Sequence, residues 1–75
     1  MKYRVVFEFQ SEDSAMSDVY NCKDEQAAQE KFAELRDSLE HVVDAASCEI
    51  IDQPSHYSVI NRQEGIYGYV RLLDD

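Results

Sequence analysis

The sequence is poor in the residues that build special loops and scaffolds. Its 75 residues hold two glycines (Gly65 and Gly68), one proline (Pro54), two cysteines (Cys22 and Cys48) and no tryptophan. Two glycines three positions apart cannot form a glycine-rich phosphate cradle. Two cysteines do not make a disulfide framework, and a reducing compartment keeps both as thiols. No apolar run approaches the ~20 residues of a membrane span. Charges interrupt the apolar positions of MKYRVVFEFQ, so this stretch does not read as a signal peptide. The expectation is a single cytoplasmic domain, residues 1–75, able to bury one small core.

Basic residues are scarce as well. Seven Lys and Arg face sixteen Asp and Glu, a formal net charge of -9. A small soluble domain needs a net charge of only about 2 to 8. Such a chain is repelled by nucleic acid and by anionic membranes, and is drawn to basic surfaces. His41 and His56 are the only histidines. Neither comes with the further ligands that a metal site requires, and no strained elbow or activated thiol marks a nucleophile. The reading is therefore non-enzymatic, with no cofactor and no metal.

What remains is clear periodicity. Tyr3, Val5, Phe7 and Phe9 alternate with Lys2, Arg4, Glu8 and Gln10, as in a strand with one buried face. SEDSA (11–15) is a polar five-residue turn, and residues 16–22 return as the second strand of a hairpin. Asp24 stands at a helix N-cap position, with Glu25 adding favourable charge in the first turn. Ala28, Phe32, Leu35, Leu39 and Val42 then recur at spacings of four, three, four and three, predicting a helix over 24–45 that lays this stripe on a core. Strands follow at 47–52, 56–60 and 66–73, separated by Pro54 and by the NRQEG turn (61–65), where Gly65 can take a left-handed conformation. His56, just after the Pro54 turn, is expected to be exposed. The order β-β-α-β-β-β predicts an α+β two-layer domain, one long helix on an antiparallel sheet of four to five strands. One helix covers one face of that sheet; the other must be polar or meet a partner.

The helix carries an unusual polar side. At about 100° per residue from Ala28, Glu40, Asp44, Asp37, Glu30 and Glu34 fall at about 120°, 160°, 180°, 200° and 240°, opposite the core stripe. They form a ribbon about 20 Å long. Neighbouring carboxylates three and four apart repel, each pair by roughly 0.2–0.5 kcal/mol. Lys31 and Arg36 on the flanks offset Glu34 and Glu40. Carboxylates also crowd the C-terminal half, where the helix dipole favours cations. Such breaches of local rules tend to accompany function. On the last strand, Tyr67 and Tyr69 share a face with Arg71 and Leu73, opposite Ile66, Val70 and Leu72. Aromatic residues and Arg concentrate binding energy, so this patch is a candidate anchor or homodimer face, or else one side of a central strand.

In size, acidity and strand–helix–strand layout, though in no sequence motif, the chain resembles the small phage-encoded inhibitors of bacterial defence: anti-CRISPR proteins and DNA mimics that block restriction or repair enzymes. That resemblance implies an inhibitor acting in the host cytoplasm on a basic protein or nucleoprotein complex, without binding nucleic acid or membrane itself. Glu30, Glu34, Asp37, Glu40 and Asp44 would supply the charge, and Tyr67 and Tyr69 the apolar anchoring. Immunity proteins and antitoxins share the same gross features. The other class of reading is a small assembly protein that dimerises through the uncovered sheet face.

Overall fold

A computed structural model describes residues 3–42 and 47–74. Five strands and one helix follow in the order β1 (Tyr3–Gln10), β2 (Ala15–Cys22), α1 (Glu25–Val42), β3 (Glu49–Gln53), β4 (His56–Asn61) and β5 (Ile66–Asp74). The strands form one antiparallel sheet in the order β2-β1-β5-β4-β3. The fold is thus the expected α+β arrangement of one helix on an antiparallel sheet. It has five strands, with β5 in the centre.

Local chemistry sets the element ends. The Asp24 Oδ1 accepts from the Ala27 amide at 2.8 Å, capping α1 as its position requires. The β1–β2 turn is one residue shorter than expected. Ser11 N–H donates to the Ser14 carbonyl at 2.8 Å, and Gln10 already pairs with Ala15. Between β4 and β5, Gly65 has φ 66°, a conformation open to glycine at little cost. The buried Asn61 holds the same turn by accepting from the Glu64 amide at 3.2 Å.

β2 and β3 are the two sheet edges, so α1 carries the chain from one edge to the other. Four strand gaps of about 4.8 Å make a crossing of about 19 Å, and 18 helical residues reach about 27 Å. The helix is therefore long enough to cross the sheet obliquely. It seals a core of Val5, Phe7, Ala28, Phe32, Leu39, Tyr57, Val59 and Val70. Val42, placed in the core stripe by its spacing, is instead 62% exposed. Buried helix contacts end at Leu39, so the last turn overhangs the packed region. His56 departs from expectation in the other direction: it is half-buried, its ring stacked on Tyr69 at 6.0 Å between centroids. Cys22 and Cys48 are half-buried and not joined in a disulfide. Among the described residues, no helix is long and apolar enough to cross a membrane.

Candidate functional site

Glu30, Glu34, Asp37 and Glu40 are all exposed on α1; Glu40 lies at the edge of this row, where its carboxylate also meets Tyr57 of β4. Asp44, the fifth member of the ribbon, lies outside the described residues. From Glu30 to Glu40 the ridge runs about 15 Å.

The two flanking cations decide how much of this charge survives. Lys31 Nζ pairs with Glu34 at 2.8 Å and lies over the Tyr20 ring, 4.8 Å from its centroid. Glu34 is thus neutralised on the β2 flank, and its bond is the main cause that raises the Lys31 pKa. Arg36 leans the other way. Its guanidinium lies over the Tyr57 ring at 4.9 Å and meets Asp52 of β3 at 2.6 Å, whereas its Nε is 3.7 Å from Glu40. Both cations are therefore drawn down the helix sides toward sheet aromatics. Glu30 receives only a side-chain amide, from Gln26 at 3.4 Å. Asp37 faces His41, whose Nδ1 lies 3.8 Å from its carboxylate and donates to its carbonyl at 2.7 Å. That carbonyl bond, then the Asp37 charge, raises the His41 pKa. Among the described residues, every ion pair of the ridge comes from α1 itself. A shallow depression of about 300 Å³ opens between Ala33, Arg36, Asp37 and Glu40, large enough for an ammonium or guanidinium head.

Tyr67 and Tyr69 belong to the opposite side of the molecule. Cross-strand register places Tyr67, Tyr69, Arg71 and Leu73 on one face with Val6, Glu8, Val19, His56, Ser58, Ile60 and Ile51. The helix covers the other face, through Gly68 and Val70. The ridge and the tyrosines are therefore two separate surfaces, and one flat partner can engage only one of them.

At the centre of the uncovered face is an aromatic cluster that sequence reasoning did not assemble. Tyr69 stacks on His56, meets Tyr67 edge-on at 5.9 Å, and lies under the Arg71 guanidinium at 5.4 Å. Arg71 Nε donates to His56 Nδ1 at 3.3 Å. Burial, and then the charge of Glu8, raise the Tyr69 pKa. The alternation of β5 identifies the tyrosines, but His56 joins them only through the β4–β5 register, which the Asn61–Gly65 turn fixes. Comparison with protein-family models, with curated proteins and with solved structures gave no significant match.

Proposed function

We propose that this chain is a non-enzymatic binding protein of the inhibitor type. It docks the carboxylate-lined face of α1 on a basic protein surface that otherwise holds nucleic acid. The observation that supports this most is the disposition of Lys31 and Arg36. Both lean off the ridge toward Tyr20 and Tyr57, pairing with Glu34 and Glu40 at its flanks and leaving Glu30 and Asp37, among the described residues, without an ion pair to Lys or Arg. Carboxylates repeated along about 15 Å of helix meet lysines and arginines as phosphates do, and long-range attraction speeds the encounter. The -9 charge keeps the chain itself off nucleic acid.

The test is capture of basic proteins by the immobilised chain, with DNA as competitor. Binding should fall steeply with salt, yield to excess DNA, and be lost when Glu30, Glu34 and Asp37 become alanine. Capture that ignores the triple substitution, or direct retention of DNA by the chain, would count against this reading.

A further inference from the structure

The uncovered sheet face differs from the rest of the molecule in charge. Among the described residues, register places two carboxylates, Glu8 and Glu49, on this face, where Arg4 and Arg71 balance them. The other described carboxylates lie on the helix, in turns, or on the helix side of the strands. A chain of -9 thus carries one electroneutral face. Apolar side chains cluster on part of that face: Tyr67 (40% exposed), Tyr69, Ile60 and Ile51 (45%) lie side by side across β5, β4 and β3, and Val19 (54%) pairs with Val6 across β2 and β1, with Glu8, Ser17, His56, Ser58 and Arg71 between them. Antiparallel sheets with one solvated face ordinarily line it with polar side chains, and contiguous exposed apolar patches mark interaction sites.

We propose that this face binds a second copy of the chain, sheet against sheet, with the helices outward and Tyr69 of the central strand near the two-fold axis. Charge selects the occupant. Pairing two copies helix to helix brings acidic surface to acidic surface, and setting the neutral face against the ridge is a head-to-tail contact that does not close a dimer. Face-to-face association is self-complementary, with Arg71 and Glu8 available to each other across the two-fold, and sheets packed in this way interdigitate their side chains. Five strands about 4.8 Å apart and about 25 Å long give a footprint of about 500 Å² per copy. The total of about 1,000 Å² is at the lower bound for a specific interface, so the dimer is weak and concentration-dependent. It leaves both ridges free and stands independently of what they bind.

Sedimentation equilibrium on the intact chain, up to about 1 mM protein, tests this at about 0.1 M and about 1 M NaCl. Dimer is expected at the higher protein concentrations. It should tighten at high salt, because mutual repulsion of two -9 chains is screened while the apolar contact is not. Ile51→Lys and Tyr67→Lys should each weaken dimerisation at least tenfold with the circular dichroism spectrum unchanged. Both substitutions make the chain less negative, so added repulsion cannot explain the loss. Met16→Lys, on the helix side of the β2 edge, should leave the dimer intact. A monomer at every concentration would overturn the proposal. So would self-association that Ile51→Lys and Tyr67→Lys leave intact, or that Met16→Lys abolishes, since the last places the contact at the β2 edge.

Discussion

Leu39 Cδ1 lies 2.7 Å from the point a Cβ on Gly68 would occupy, with Phe9 Cδ2 3.3 Å away. The helix therefore rests on the central strand at the sheet's one glycine. Gly68 serves close approach rather than backbone freedom, since among the described glycines only Gly65 has a positive φ. Leu39 is fully buried, so its side chain must shift within the core to admit a methyl group. Gly68→Ala should destabilise the fold by about 1–3 kcal/mol through overpacking, read as a lower urea midpoint at unchanged slope. Leu39→Ala alone should cost about 2–5 kcal/mol. Because it removes the atom that Gly68→Ala meets, the double variant should fall short of the summed costs by about 1 kcal/mol.

Arg36 ties α1 to β3, the most exposed strand. Its contact with Asp52 spans sixteen residues and its guanidinium covers Tyr57. An exposed ion pair contributes about 0.2–1 kcal/mol, and a cation over an aromatic ring about 0.5–1 kcal/mol. Arg36→Ala should therefore cost about 1–2 kcal/mol, and Asp52→Ala about half as much because the ring contact survives. Every residue of β3 is exposed, so loss of the tie should appear as faster amide exchange across Glu49–Gln53 before the global midpoint moves.

His41 near the end of α1 should titrate above its ordinary value of about 6.5, because its ring donates to the Asp37 carbonyl and faces the Asp37 charge. The helix dipole acts in the same sense. With the folded pKa raised above the unfolded one, the imidazolium's contribution to stability is complete below the unfolded value. It disappears as pH rises through the folded value. NMR titration should place the His41 midpoint above 6.5 and show it falling in Asp37→Asn. His41→Gln should flatten the dependence of stability on pH across that window.

The sequence makes some of this visible and hides the rest for physical reasons. The Asp24 cap and the Gly65 turn depend on a few consecutive residues, and their chemistry is local. The alternation in 3–9 and the three–four spacing of Ala28, Phe32, Leu35 and Leu39 state which side of each element is buried. They do not state how far the opposing surface extends, and so Val42 reads as core but overhangs. The strand order β2-β1-β5-β4-β3 depends on pairing between segments as distant as β1 and β5, which no local pattern encodes. The ridge follows from helical geometry alone. The direction of Arg36 does not, because Asp52 and Tyr57 reach it only through the tertiary fold.

Neutralising the ridge should stabilise the fold at low salt. Glu30–Glu34, Glu34–Asp37 and Asp37–Glu40 are like-charge neighbours, each costing roughly 0.2–0.5 kcal/mol. Lys31–Glu34 at 2.8 Å offsets part of this. Glu30→Gln, Glu34→Gln and Asp37→Asn together should therefore raise stability by about 0.3–1 kcal/mol. For a domain of this size that is a rise in Tm of about 2–6 °C. The gain should shrink toward zero near 1 M NaCl, where the Debye length is about 3 Å. The same carboxylates serve the proposed basic partner, so the more stable variant should be the weaker binder. A carboxylate row retained against its own stability cost is expected of a surface kept for binding. If the triple variant is instead less stable at low salt, the ridge carboxylates contribute to the fold, and their presence needs no partner to explain it.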